Sequence, residues 1–211
     1  MARFHTIATH QRPHLDEIAG MWLLKKFGEK LFPGISTAGY QFWGSGGETP
    51  DGRTAEEYER EGTLLLGVGG GRFDEHPRVN GEKKENECVA TLVAKALGAD
   101  DDPSLEKILK FVTNSDLRGT QQPFDLAYLA KLLHQQYQDN PVAVVEWVMV
   151  GLEAKHQEQS QFWTQTKVEF ERTAQVEEVQ AGKKTVKMVT VVSDDEQMSK
   201  FARSATGGNA A

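Results

Sequence analysis

The spacing of apolar and polar positions changes several times along the chain, and each change predicts an element. Residues 3–9 (RFHTIAT) carry β-branched and aromatic side chains and predict a short strand. Pro13, with its fixed φ, makes residues 10–15 a turn. Over 16–27, Ile18, Met21, Trp22 and Leu24 recur near the helical period, acids lead, lysines close and Gly28 stops the run, which predicts an amphipathic helix. Residues 35–43 predict a second strand followed by a glycine-rich loop, and 55–61 a short charged helix. The continuous apolar run TLLLGV at 63–68 precedes glycines and predicts a strand buried on both faces.

Helical periodicity continues over 87–97, 105–114 and 125–137. From residue 142, no Gly or Pro falls between Gly151 and residue 176, which predicts one long helix reaching about residue 176 with a polar connector at 153–178. Residues 185–192 alternate as a strand, 194–204 look helical, and the tail 206–211 has little to pack and is expected to fray. Strands alternating with helices predict an α/β fold with a mainly parallel sheet flanked by helices. The organisation expected is an α/β domain over 1–140, a connecting helix over 141–180 and a partial C-terminal α/β unit over 181–211. One strand and one helix cannot close a core, which leaves two alternatives open: a homodimer, or a chain that continues past residue 211.

Composition narrows the class. At 38% hydrophobic and 26% charged, the 211 residues have the make-up of a soluble globular protein. No apolar run approaches the ~20 residues of a membrane span, so no membrane partner is expected. The opening MARFHTIATHQRPHLDE has charge and histidine where an export signal needs an apolar run, so the expected location is cytoplasmic. A net charge of −7 argues against a broad basic face for nucleic acid and leaves room for a short basic channel. The single cysteine, Cys88, excludes an internal disulfide and a Cys-based zinc cluster. Its neighbours Val89, Leu92, Val93 and Ala96 favour a buried, inert thiol.

Three segments carry candidate chemistry, each expected just after a strand. They are His10-Gln-Arg12-Pro-His14-Leu-Asp16-Glu17, Arg72-Phe-Asp74-Glu75-His76-Pro77 and Asn114-Ser-Asp116-Leu-Arg118-Gly119. In open α/β sheets ligands bind outside the carboxyl ends of strands, so the first two can share a crevice. Imidazole with carboxylate suits Mn²⁺, Fe²⁺ or Zn²⁺, whereas all-oxygen sites suit Mg²⁺. Taken singly, Asp16 and Glu17 also fit as ordinary acids of a helix start, worth ~0.3–1 kcal/mol. Arg12, Arg72 and Arg118 add planar forks suited to phosphate, and Gly69-Gly70-Gly71 permits backbone N–H groups to face an anion. Metal ligands beside phosphate binders point to metal-assisted phosphoryl chemistry. His134 and His156 lie on predicted helices without acid partners and are expected at the surface. Phe162, Trp163 and Phe170 are spaced for packing or a dimer contact.

The spacing His10-x-x-x-His14-x-Asp16 resembles the opening motif of the DHH phosphoesterase superfamily, with His14 where the first Asp usually stands. THQRPHLDE followed by GVGGGRFDEHP is similar to the metal-dependent hydrolases known from the melanocyte-proliferating gene product (UPF0160). The resemblance covers about residues 4–118, and the stretch VTVVSDDEQMSKFARSATGG is similar to the C-terminal unit of such proteins. It implies a DHH-like domain with two metals, often Mn²⁺, hydrolysing phosphodiesters such as short oligonucleotides or nucleotides, in the manner of an exonuclease. His10 and His14 would hold one ion, and Asp16, Glu75 and Asp116 the second. Asp74 would support from behind, and His76 would face the substrate phosphate.

Two positions depart from that pattern. Gly67 stands where the family carries a bridging aspartate, and Glu75 where it carries a histidine. Losing a carboxylate between two dications weakens binding of the pair. Two functions therefore compete: an active metal-dependent phosphoesterase, and a degenerate relative that binds a metal, nucleotide or protein partner without turnover.

Overall fold

The computed structural model describes residues 3–44, 48–76 and 86–206. Pro77 of the second motif and residues 207–211 of the tail lie outside these. The chain divides into two compact units, Met1–Ala154 and Lys155–Ala211.

In the first unit, strand β1 (Thr6–His10) is the middle of a three-stranded parallel sheet, with β2 (Gly39–Trp43) on one side and β3 (Thr63–Leu65) on the other. The register aligns Thr6 with Gly39 and with Thr63. A strand paired on both edges and covered on both faces should be continuously apolar, and Ile7 and Ala8 are fully buried. The expected 35–43 strand is shorter because Ile35–Thr37 forms a single 3-10 turn before β2. The expected 63–68 strand ends as a ladder at Leu65, and Leu66 makes an isolated parallel bridge to Phe73 across a glycine loop.

Helix α1 (Leu15–Phe27) follows β1. Instead of one apolar stripe, every residue from Leu15 to Leu24 is buried, Asp16 and Glu17 included. It is a central helix, covered by α3 (Val89–Leu97) and α4 (Glu106–Arg118). Gly20 permits a close approach of α3: a Cβ there would lie 2.8 Å from Val89 Cγ1. The short α2 (Ala55–Arg60) precedes β3, and α5 (Leu126–Gln136) and the start of α6 (Pro141–Gln161) complete the shell. Val144, Val145 and Val148 of α6 join the core, and Glu153 accepts from Trp22 Nε1 at 3.1 Å. Helix α4 runs to Arg118, four residues beyond the expected end at 114, so the Asp116 segment is a helical turn and does not follow a strand.

In the second unit, the helical path continues through a π turn (Phe162–Thr166) into α7 (Lys167–Thr173) and stops there. The predicted helix to 176 fails because Val176 and Val179, three apart, face cross-strand partners. β4 (Gln175–Ala181) pairs antiparallel with β5 (Lys184–Thr190), placing Val176 opposite Val189 and Val179 opposite Val186. With α8 (Met198–Thr206), the unit builds a small core of Phe162, Phe170, Met198 and Phe201. The expected lone strand and helix are thus a hairpin and a helix packed on the preceding helical turns. His156 is buried rather than at the surface, its Nε2 3.4 Å from Ser160 Oγ. Among the described residues, no helix is long and apolar enough to cross a membrane.

Candidate metal centre

The sheet order places a topological switch at the carboxyl ends of β1 and β3, because the chain leaves β1 towards β2 while β3 lies on the opposite side. Open α/β sheets form their ligand crevices at such points. His10 is the last residue of β1, and His14 caps the start of α1. The loop after β3 brings Asp74, Glu75 and His76 to the same end, where the rings of His10 and His76 meet edge to face at 6.0 Å between centroids.

Glu17 lies between the first two histidines. Its Oε1 is 3.7 Å from His10 Nε2 and its Oε2 3.9 Å from His14 Nδ1, while Oε2 also accepts the His14 backbone N–H at 2.6 Å. That last bond is an ordinary helix-start contact, but the burial is not ordinary, since the Glu17 side chain is 2% exposed. Asp16, His14 and Glu17 each offer a ligand atom within 4.8 Å of the others. Two ionised carboxylates at 4.8 Å repel by about 3 kcal/mol even at an effective dielectric of 20. Burial, and then the neighbouring Asp16 charge, push the Glu17 carboxyl well above its usual range. Glu75 is likewise pushed up to about 7, chiefly by burial and with the Asp16 charge adding to it.

Two carboxylate oxygens, Asp16 Oδ1 and Glu75 Oε2, are buried with no hydrogen-bond partner among the described residues. Such atoms in a native site call for an explanation, and a cation is one. The other Asp16 oxygen accepts from Val89 N–H at 3.2 Å, which ties the starts of α1 and α3 together. Asp16 also shares a 4.8 Å cluster with Cys88 and Asp116.

Asp74 faces inward differently. Its Oδ1 accepts from the backbone and ring Nδ1 of His76, at 3.0 and 2.9 Å, and its Oδ2 from Gly70 N–H at 2.7 Å. The glycine run therefore spends at least one amide on Asp74 rather than on a free anion. Fixing the proton on Nδ1 leaves Nε2 of His76 outward. Burial lowers the affinity of that ring for a proton, yet Asp74 and Glu75 outweigh burial and hold it above its ordinary value. Burial, with the charges of His76 and His14 behind it, pushes His10 down and keeps it in the neutral form that metals take.

Of the sequence-derived set, His10, His14, Asp16, Asp74, Glu75, His76 and Asp116 come to this end of the sheet. The arginines divide. Arg12 is exposed next to the turn, and Arg118 is exposed on the last turn of α4. Arg72 points elsewhere, its fork filled by both oxygens of Glu59, the closer pair at 2.5 Å. His134 is buried rather than exposed, because its Nε2 donates to the Pro13 carbonyl at 2.9 Å and closes α5 over the turn. It lines a cavity of about 190 Å³ with His14, Asp16, Asp116, Gln121 and Lys131. Glu17 and Cys88 were not among the expected ligands. The signal for Glu17 was its place beside Asp16, and for Cys88 nothing in the sequence joined it to residue 16. No family model, curated protein or solved structure matches the chain.

Proposed function

We propose that this crevice is the metal centre of a divalent-metal-dependent phosphoesterase acting on a small phosphodiester, such as a nucleotide or the end of a short oligonucleotide. The observation that carries the reading is the pair of orphaned buried oxygens, Asp16 Oδ1 and Glu75 Oε2, beside the imidazoles of His10, His14 and His76. A mixed imidazole and carboxylate donor set fits Mn²⁺, Fe²⁺ or Zn²⁺. When bound, such an ion supplies Lewis acidity and a lowered pKa for water.

The chain's own residues supply the rest. His10 and His14 would hold the ion with Glu17, and Asp16 with Glu75 or Asp116 would neutralise its charge. Asp74 holds Nδ1 of His76, and in the protonated ring that these acids favour Nε2 can donate to a phosphate oxygen. Arg12 and Arg118 are the exposed cations that flank the turn and α4. The cavity of about 190 Å³ lined by His14, Asp16 and Asp116 encloses a small group and leaves no room for a duplex. On this reading the protein is a divergent, cytoplasmic member of the DHH superfamily, near the UPF0160 hydrolases.

A second reading is favoured by one observation. Gly67 takes φ +64, and a Cβ there would stand 3.1 Å from Glu17 Cγ and Oε1. Glu17 thus fills the space in front of residue 67, and a centre rebuilt in this way fits a relative that binds a metal, nucleotide or partner without turnover. Metal analysis joined to an Mn²⁺- and Zn²⁺-supplemented assay on bis(p-nitrophenyl) phosphate separates the two. Metal uptake with hydrolysis, both lost in His14→Ala, is the expected result. Uptake without hydrolysis would leave the second reading, and equal metal content in wild type and His14→Ala would overturn both.

A further inference from the structure

The cavity of about 190 Å³ has two unlike walls. One carries His14, Asp16 and Asp116, which belong to the candidate metal centre. The other is α5, where Ala127, Ala130, Lys131 and His134 all line the space. Steps of three, four and seven residues put these four on one helical face. Ala127 and Ala130 are 4% and 2% exposed, and because both are small, this face leaves room instead of filling it. His134 fixes the wall in place, since its Nε2 donates to the carbonyl of Pro13, the residue before His14.

Lys131 is the one Lys or Arg among the described residues that line this cavity. Its Nζ donates to Oε1 of Gln121, itself part of the lining, at 2.9 Å. Among the described residues Lys131 pairs with no carboxylate, whereas the fork of Arg72 is filled by Glu59. An ammonium held by a neutral amide has two further N–H donors to offer.

We propose that Lys131, steadied by Gln121, is the side chain that binds the substrate's phosphate, in the cavity it shares with His14, Asp16 and Asp116. The inference rests on the reading of the crevice as a metal centre and adds the group that receives the anion. Charge decides the occupant. Asp16, Glu17 and Glu75 load the crevice with acid, which repels a free anion until a cation sits on the donors. With an ion in place, an anion gains from both walls at once. A phosphate has oxygens enough for the ion, for Lys131 and for the amide of Gln121. Lysine meets phosphate as a point charge and needs no fixed fork, and the Lys131 side chain is exposed and free to follow it. A cation would be repelled by the ammonium, and a neutral group would gain little from it.

The test uses the full chain, stripped with a chelator, reloaded with Mn²⁺ or Zn²⁺ and titrated calorimetrically with inorganic phosphate. Lys131→Met should bind phosphate at least about tenfold more weakly than the wild type, the loss of one charged hydrogen bond. Lys131→Arg should recover most of that affinity. Lys131 is not a metal ligand, so Lys131→Met should hold the ion as tightly as the wild type or more tightly, because a neighbouring positive charge has gone. A merely structural lysine would weaken ion and phosphate together, and that result would overturn the proposal. Equal phosphate affinity in wild type and Lys131→Met, with equal metal content, would overturn it and leave the metal centre standing. Acetate bound as tightly as phosphate would overturn the assignment to phosphate. No metal uptake by the wild type would overturn the reading of the crevice and this inference with it.

Discussion

Asp16 and Glu17 are consecutive, buried and both acidic, and that single fact sets the electrostatics of the crevice. Without a cation the folded chain relieves the strain by holding protons. Glu75 is held at about 7 against an ordinary 4.5, by burial first and the Asp16 charge after it, so the folded state binds a proton that the unfolded chain has lost. Glu17 and His76 are raised as well. Groups raised on folding stabilise below their unfolded values and lose that contribution as pH rises through the folded ones. Between about pH 6.5 and about pH 8, the lowered rings of His10 and His134 work in the opposite direction, because the unfolded chain still sheds their protons there, but the three raised groups outnumber them. The metal-free protein should therefore melt at a lower temperature at the upper end of that window, and saturating Zn²⁺ should remove or reverse the trend. A metal-free melting temperature that rises with pH would contradict this account. His10, His14 and Asp16 were legible in the sequence because they fall within seven positions where one strand ends and the next helix begins. Glu17 was legible only as a helix-start acid, since what distinguishes it is burial, and burial belongs to the tertiary structure.

At the scale of elements, α1 explains both what pattern reasoning caught and what it missed. Its start and stop were readable from Pro13, the leading acids and Gly28, whereas its burial on all sides was not, because α3, α4 and α6 come from residues far along the chain. Gly20 shows the consequence. Helix propensity alone says that Gly20→Ala stabilises by about 1 kcal/mol. Packing says otherwise, because the new methyl would meet Val89 Cγ1 at 2.8 Å and Leu66 Cδ2 at 3.3 Å. Overpacking of that kind costs about 1–3 kcal/mol. Urea unfolding should find Gly20→Ala less stable by about 1–2 kcal/mol, with Gly20→Ala/Val89→Ala recovering part of the loss. A stabilised single variant would show that α3 can move aside. The same logic explains the hairpin: the valines at 176 and 179 satisfy a helical spacing, and only the pairing with 189 and 186 decides for strand.

Across the whole molecule, every donor of the crevice belongs to Met1–Ala154, and none to Lys155–Ala211. An ion at 100 times its dissociation constant stabilises the folded state by about 2.7 kcal/mol, which for a chain of this size is a rise of about 5–10 °C in melting temperature. The gain should be local. Hydrogen exchange with and without Zn²⁺ should slow at residues 10–17, 66–76 and 88–91, and stay unchanged in β4 and β5. Slowing spread evenly over both units, or confined to the hairpin, would place the ion elsewhere. The parallel sheet was readable from its apolar runs, as was the crevice at its carboxyl end. The three-way meeting of residues 16, 88 and 116 was not, because no local spacing encodes contacts that far apart.

The pairing of β1 with β3 also has a temporal meaning. Thr6 aligns with Thr63, so the ends of that ladder must find one another across a long intervening chain before the loop after β3 can reach His10. Closing such non-local pairs is slow compared with forming helices. The helices can form early while the crevice has no walls, and its donors come together only when the last parallel ladder closes. An ion bound there would not guide the chain to its fold. It would be the final piece added, trapping a structure that had already assembled.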